Sequence, residues 1–138
     1  MKTKDFFKPV LIVLIAIAAS CAPEDKAEDI PSEPRDNYIG NWLCKENSKV
    51  YSQSTYSVSL KKSNTNAKEL LCSNFYQLGG DTITLMVLDG TKFTIPRQSV
   101  SGQIISGSGT AMSDNYINFS FTANDGGQTD VVTAVFSR

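Results

Sequence analysis

Apolar and polar residues alternate along most of the chain after residue 38, with the two-residue period of a β-strand that has one buried face. No helical stripe of useful length interrupts this pattern. The apolar members of two such segments are Tyr56, Val58 and Leu60, and Ile117, Phe119, Phe121 and Ala123. The alternation therefore predicts an all-β domain.

Eight strands are predicted, with turn residues such as Gly79-Gly80, Asp89-Gly90, Ser101-Gly102 and Asp125-Gly126-Gly127 between several of them. The predicted strands are residues 38–46, 56–62, 69–75, 81–87, 91–95, 103–112, 116–122 and 130–137. Short strands joined by short turns favour an antiparallel up-and-down meander that closes into a small barrel and so removes exposed edges. A two-sheet β-sandwich is the alternative.

Two hairpins allow the register to be predicted. A three-residue loop, Ser113-Asp114-Asn115, pairs Gly109 with Phe119, Gly107 with Phe121 and Ala111 with Ile117, so that small residues make room for large ones.

The loop Leu88-Asp89-Gly90 pairs Leu85 with Phe93 and Ile83 with Ile95. This register sends Met86 and Lys92 outward and gives Gly90 the left-handed position.

The barrel predicted from these strands is about 18 Å tall, and an eight-stranded interior is just wide enough for side chains to fill. The aromatic residues expected to fill it are Trp42, Phe75, Phe93, Phe119, Phe121 and Phe136. A mostly solid core with a small pocket at one mouth is therefore predicted.

The first 20 residues have the plan of a signal peptide, with lysines followed by an apolar run over residues 10–19. That run is about half of the roughly 20 residues that a membrane-spanning helix needs. Ala18-Ala19-Ser20-Cys21 resembles the bacterial lipobox, which implies that Cys21 is acylated and becomes the first residue of the mature chain. The lipid bilayer is then a partner through the acylated Cys21, and several acyl chains give a durable anchor.

Residues 21–37 form the predicted linker after the anchor. Residues 22–37 hold six acids, two bases and three prolines, a composition that does not fold by itself. Acids directly after the lipidated cysteine resemble the surface-export signal of Bacteroidota lipoproteins, and an ordinary solvated spacer is the alternative. The predicted location is the cell envelope, as an outer-membrane lipoprotein, with the cell surface as one alternative.

Tyr38-Ile39-Gly40-Asn41-Trp42 resembles the Gly-x-Trp opening of lipocalin-like barrels, and residues 36–138 resemble the small lipocalin-like lipoproteins of Bacteroidota. Further shared features are Asn74-Phe75-Tyr76, Thr94-Ile95-Pro96-Arg97-Gln98, the Ser106 to Thr110 strand and the Asp-Gly-Gly turn. The resemblance implies a binding or structural role. It also implies that Arg138, which ends the last strand, covers the Trp42 ring within about 6 Å.

Cys44 and Cys72 remain once Cys21 is lipidated, and an exported chain makes a disulfide between them one expectation. They lie on the first and third strands, which are about 9.6 Å apart in a meander, whereas a disulfide tolerates about 7 Å between Cα atoms. Two buried thiols are the alternative.

The sequence offers little catalytic chemistry. It contains no histidine, no Cys-x-x-Cys and no phosphate-binding glycine loop, so we expect no enzyme, no catalytic residue, no metal site and no cofactor. The acids Asp81, Asp89, Asp114, Asp125 and Asp130 are interpreted mainly as turn residues. Residues 38–138 carry eight bases and seven acids without a basic stripe, so nucleic acid is not an expected partner.

Tyrosines offer the clearest candidate binding surface, because an aromatic face stacks on a ligand while its hydroxyl bonds to it. The candidate residues are Tyr51, Tyr56, Tyr76 and Tyr116, and we take Trp42, Tyr56 and Tyr76 as the ligand-binding set. The predicted function is a tethered barrel that binds a small hydrophobic or glycan ligand. The alternative is a structural or protein-interaction lipoprotein, such as an inhibitor, with a solid barrel.

Overall fold

The computed structural model describes residues 32–138, so the predicted signal peptide and Cys21 lie outside the described residues. A 3₁₀ turn precedes the first strand and another follows the third. The elements are a turn at Pro34–Asn37, β1 Gly40–Ser48, β2 Ser52–Lys62, β3 Glu69–Ser73, a turn at Phe75–Gln77, β4 Ile83–Asp89, β5 Lys92–Val100, β6 Gln103–Ser113, β7 Tyr116–Asn124 and β8 Thr129–Ser137.

The eight strands form one closed antiparallel barrel in sequence order. Each strand pairs with the next, and β8 returns to pair with β1 from Leu43 opposite Ser137 to Ser48 opposite Val132. The meander barrel predicted from the sequence is confirmed, and the sandwich alternative is wrong. Within residues 32–138, no helix is long and apolar enough to cross a bilayer.

The predicted register of β6 and β7 is confirmed. Gly109 faces Phe119, Gly107 faces Phe121 and Ala111 faces Ile117. A Cβ atom at Gly109 would overlap the Phe119 ring, so the glycine exists to admit the aromatic side chain. The loop is shorter than expected, because Ser113 pairs with Tyr116 and the extra residue bulges between Ala111 and Ser113.

The predicted register of β4 and β5 is wrong. Leu88, not Leu85, lies opposite Phe93, and Asp89 pairs with Lys92 across a two-residue loop. Met86 is consequently buried, while Leu85 and Ile83 are exposed on the outer face. Gly90 does adopt the left-handed conformation (φ 63°), and Lys92 does point outward.

Strand β5 runs beyond Pro96, past the predicted end at Ile95, and is bulged between Ile95 and Gln98. Pro96 has no backbone N–H to donate. The Gln98 side chain takes over the pairing with β4: its Oε1 accepts from Leu85 N at 2.8 Å and its Nε2 donates to Leu85 O at 2.8 Å. A side-chain amide thus satisfies the backbone groups of Leu85 that a strand would otherwise pair.

Strand β3 ends at Ser73, two residues earlier than predicted. Asn74 adopts a left-handed conformation (φ 60°), which asparagine tolerates, and its side chain bonds to Ser57 O and to Gly79 N. The chain then folds inward, and Phe75 enters the barrel, where its ring lies 4.5 Å from that of Phe121.

The core is filled by aromatic side chains. Phe119 lies 4.7 Å from Phe136 and 5.4 Å from Phe93, measured between ring centroids, and Trp42 lies 6.4 Å from Phe136. All of the aromatic residues predicted to fill the interior are buried. The packing is that of the solid core predicted from the sequence.

The two ends of the barrel differ. We call the end where β1 begins and β8 stops the N-terminal end, and the end formed by residues 49–51, 74–82, 101–102 and 125–128 the distal end. The N-terminal end is closed by Arg138, whose guanidinium lies 4.2 Å from the Trp42 ring centroid and donates to Ile39 O at 2.9 Å. The predicted contact between Arg138 and Trp42 is confirmed.

The segment before β1 also packs on the N-terminal end. Arg35 is 7% exposed and donates to the carbonyl oxygens of Ser63, Asn66 and Glu69 at 2.9 to 3.0 Å. The prediction of a solvated linker reaching Asn37 is therefore corrected for residues 34–37. The buried Arg35 guanidinium donates hydrogen bonds to carbonyls of the β2–β3 loop and of the start of β3, and these bonds hold residues 34–37 in place.

Cys44 and Cys72 are free, buried thiols, so the alternative to a disulfide is the one present. Cys44 lies opposite Tyr56 on β2, whereas Cys72 lies opposite Leu60, four positions further along the same strand. This offset adds to the separation by a whole intervening strand. Burial raises the pKa of the Cys44 thiol to about 12 and that of Cys72 well above its ordinary value.

Candidate functional site

A buried carboxylate organises the distal end. Asp130 is 2% exposed, and its Oδ2 accepts hydrogen bonds from the Ser48 hydroxyl and from the Tyr76 hydroxyl at 2.8 Å. Its Oδ1 accepts from the backbone N–H groups of Lys49 at 3.0 Å and Val50 at 3.2 Å. A charged group is costly to bury unless it is bonded in this way.

The hydrogen bonds to Asp130 fix the loop between β1 and β2. Ser48 Oγ, which donates to Asp130, accepts from Val50 N at 3.0 Å and from Tyr51 N at 2.7 Å. The next residue, Ser52, is left-handed (φ 68°). The Tyr51 side chain is consequently held out into solvent, with the residue 68% exposed.

Tyr76 forms the second aromatic group of this end. Its ring lies 6.4 Å from that of Tyr51, with a 59° angle between the planes, and 5.9 Å from that of Phe121. Burial, followed by the hydrogen bond to Asp130, raises the pKa of Tyr76. Tyr76 therefore remains a protonated hydroxyl donor that ties the β3–β4 loop to β8.

A shallow depression of about 10 Å³ lies beside these rings, large enough for one water-sized group. Its lining is mostly polar. It is lined by Val50, Tyr51, Tyr76, Gln103, Ala123, Asp125, Gln128 and Asp130.

Backbone strain collects at the same end. Among the described residues, the non-glycine residues with positive φ are Ser52, Asn74, Tyr76, Gln77 and Ser101, and all lie in or beside distal loops. Such conformations cost roughly 1 to 2 kcal/mol each and persist where the surroundings impose them. The distal end is thus the strained end of the barrel.

Below the depression, Glu46 also faces the interior and is 3% exposed. The Tyr56 hydroxyl donates to its carboxylate. Burial raises the pKa of Glu46, the hydrogen bond from Tyr56 opposes this, and the charge of Asp130 adds to it. Burial likewise raises the pKa of Tyr56, so this pair is held by a protonated phenol.

The three aromatic residues predicted to bind a ligand do not meet. Trp42 is 2% exposed and covered by Arg138 at the N-terminal end. Tyr56 is half-buried on Glu46, and only Tyr76 contributes to the distal depression. The structure brings Tyr51, Tyr76 and Asp130 together instead.

The interpretation of Asp130 as a turn residue is wrong, because Asp130 lies within β8 and is buried, as is Glu46 on β1. Both are in phase with the buried alternation of their strands: Asp130 precedes Val132 and Ala134, and Glu46 follows Cys44 by two residues. A polar residue in phase with a buried face is the signal that would have identified them. In the described residues, no group of three or more potential ligands is placed to hold a metal.

A second concavity of about 440 Å³ runs along the outer wall of β1 and β8. Lys45, Gln53, Tyr116 and Val135 contribute to its lining. It is open to solvent and extends along the strands from Tyr116 and Ser137 to Asn47 and Gln53, next to the β1–β2 loop.

The fold is similar to two solved structures. A redesigned β-barrel is 12% identical, has a TM-score of 0.56 and covers 77% of this chain and 95% of its own. EF1p2_mFAP2b bound to DFHBI is 9% identical, has a TM-score of 0.50 and covers 77% of this chain and 97% of its own. The chain matches no protein-family model and no curated protein sequence. At these identities the likeness shows the fold alone.

Proposed function

We propose that this protein is a lipoprotein of the bacterial cell envelope, tethered through Cys21, whose barrel is a rigid scaffold that binds a small ligand at its distal end. The lipobox-like Ala18-Ala19-Ser20-Cys21 after an apolar run supports the tether. The observation that carries the binding role is the exposed Tyr51 held over a polar depression by the buried Asp130.

The topology supports a distal site. The chain enters the barrel at the N-terminal end, where residues 34–37 pack, and the distal loops lie at the opposite end. The distal loops therefore lie at the end away from the point where the described chain begins. The aromatic packing of the interior argues against a ligand held inside the barrel.

A ligand-binding role is compatible with small barrels of this shape, because the similar structure of EF1p2_mFAP2b is bound to DFHBI. The proposed role differs in place from the binding of a small hydrophobic or glycan ligand at Trp42, Tyr56 and Tyr76 predicted from the sequence. A polar, water-sized depression suits a polar group and not an acyl chain.

The tether is tested by the Cys21→Ser substitution in a bacterial host fed a radioactive fatty acid. We expect the wild-type protein to be labelled and processed, and Cys21→Ser to be unlabelled and to accumulate as precursor. Equal labelling of the two proteins would contradict the anchor.

The binding site is tested by ¹⁹F NMR of the full chain in lipid nanodiscs, with 3-fluorotyrosine at all tyrosines. The probes are palmitate for the interior, and a saccharide panel, n-butylammonium and short peptides for the surface. We expect the Tyr51 resonance to shift with one of the surface probes, the Tyr116 resonance to stay fixed, and palmitate to bind nothing inside. A shift confined to Tyr116, or palmitate in the core, would contradict the proposal.

A further inference from the structure

We infer that the ligand of the distal end is a saccharide, with one sugar ring on the face of Tyr51 and one hydroxyl in the depression beside it. This inference rests on the proposed function and names the ligand class.

The ring provides the first part of the argument. Tyr51 is the most exposed of the large apolar or aromatic residues in the described chain. A sugar ring has an apolar C–H face and polar edges, and an aromatic ring offers the apolar surface on which such a face packs. The Tyr51 ring also lies 6.4 Å from that of Tyr76, so two aromatic rings stand beside the depression.

The depression provides the second part. Gln103 and Gln128 each carry an amide that both donates and accepts, and Asp125 adds a carboxylate. A hydroxyl group is likewise both donor and acceptor and is the size of the water that fits the space. An acyl chain is too large and too apolar for it.

Most carboxylate oxygens of this end already accept hydrogen bonds from the protein. Asp130 already accepts four hydrogen bonds from the protein. Asp125 Oδ1 accepts from Gly127 N at 2.9 Å and Gln128 N at 2.8 Å. An ammonium group would therefore compete with protein donors at Asp130 and at Asp125 Oδ1, whereas a hydroxyl can use the neutral amides and can also donate to Asp125 Oδ2.

The loop that carries Tyr51 is already ordered by Asp130 and Ser48. Binding then requires little loss of conformational entropy at the loop, which favours the weak, shallow contacts that a single sugar ring makes.

The test is a glycan array probed with the full chain in lipid nanodiscs made without glycosidic detergent. Tyr51→Ala removes the ring, Tyr51→Phe keeps it, and Tyr116→Ala removes a tyrosine 42% exposed at the other end. We expect wild-type binding to at least one glycan class, a loss of at least tenfold in affinity for Tyr51→Ala, and less than threefold change for Tyr51→Phe and Tyr116→Ala. Binding should be insensitive to salt between 50 and about 500 mM, unlike binding of a cation.

Two outcomes would overturn the inference. The first is glycan binding that Tyr51→Ala leaves unchanged, and the second is a Tyr51 resonance that shifts with n-butylammonium in a salt-sensitive manner but with no saccharide. In the second case a distal binding site survives and the ligand class is wrong. If no surface probe shifts Tyr51 and the array shows no binding, the proposed function fails as well.

Discussion

Both ends of the barrel use charged side chains to bind backbone groups, but the charges have opposite signs. At the N-terminal end, the guanidinium groups of Arg35 and Arg138 donate to backbone carbonyls of the loops around them. At the distal end, the Asp130 carboxylate accepts from the backbone N–H groups of the β1–β2 loop. Each ion therefore binds several backbone groups at its own end of the barrel.

The two ends differ in where they place an aromatic side chain. The N-terminal end buries its aromatic group, Trp42, under the Arg138 guanidinium. The distal end uses strained residues to keep an aromatic group, Tyr51, in solvent. In the proposed function, the closed end serves stability and the distal end serves recognition.

The largest loss of stability is expected from a substitution in the β6–β7 wall of the barrel, which connects the two ends. Gly109→Val places a branched side chain against Phe119 and should lower the free energy of unfolding by about 3 kcal/mol. Ser108→Val, next to it on the outer face, should change it by less than about 0.5 kcal/mol. Denaturant melts measure both. Equal losses would mean that the glycine is not needed for packing.

Asp130→Asn should lower the free energy of unfolding by about 2 to 3 kcal/mol. The substitution replaces one accepting oxygen with an NH₂ group, which leaves buried donors without a partner. The β1–β2 loop should also become sensitive to limited proteolysis. Asp81→Asn, on an exposed residue of the same end, is the matched control. A variant that is destabilised without loop cleavage would break the link between Asp130 and the presentation of Tyr51.

Arg138→Ala should cost about 1 to 2 kcal/mol through the lost carbonyl hydrogen bonds and the lost contact with Trp42. Trp42 is the single tryptophan, so its emission should shift to the red as water reaches the ring. Arg97→Ala, on an exposed strand position, should leave the emission unchanged. The distal loops should keep their wild-type protease resistance in both variants, and cleavage there would show that the ends are coupled.

The smallest effect concerns pH. The pKa of Glu46 is raised above 4.5 by burial, so the folded protein binds this proton more tightly than the unfolded chain. At low pH, Glu46 is protonated in both states and does not lower the free energy of unfolding. As the pH rises through the folded-state pKa, its ionisation in the buried site lowers the free energy of unfolding. Glu46→Gln should therefore be more stable than the wild type at neutral pH, with the advantage vanishing in acid. Thermal melts at several pH values check this, and an advantage that grows in acid would contradict it.

The closed meander and the β6–β7 register were predictable because, in each case, the residue pattern fits one arrangement of the strands. Alternation fixes which face of a strand is buried, and Gly107 and Gly109 have a packing reason only opposite Phe121 and Phe119. The β4 register was not predictable in this way. The buried residues of β4 are Thr84, Met86 and Leu88, and the exposed or half-buried residues Ile83, Leu85 and Val87 are just as apolar. Alternation therefore does not show which set faces the interior.

The candidate site was less accessible to sequence reasoning. The inward turn at Phe75 depends on the left-handed Asn74. The exposure of Tyr51 depends on hydrogen bonds that the β1–β2 loop donates to Ser48 and to Asp130, which is distant in sequence. Neither leaves a periodic pattern. Asp130 and Glu46 were recognisable only as polar residues in phase with a buried face.

The central claim is that the barrel binds its ligand at the distal end and not inside. Hydrogen–deuterium exchange of the full chain in nanodiscs, with and without a saturating glycan identified on the array, tests this most directly. We predict slower exchange in residues 49–52 and 125–128, and no change in residues 114–116 or in the strand interiors. Protection of the N-terminal end, or of the core strands alone, would contradict the account.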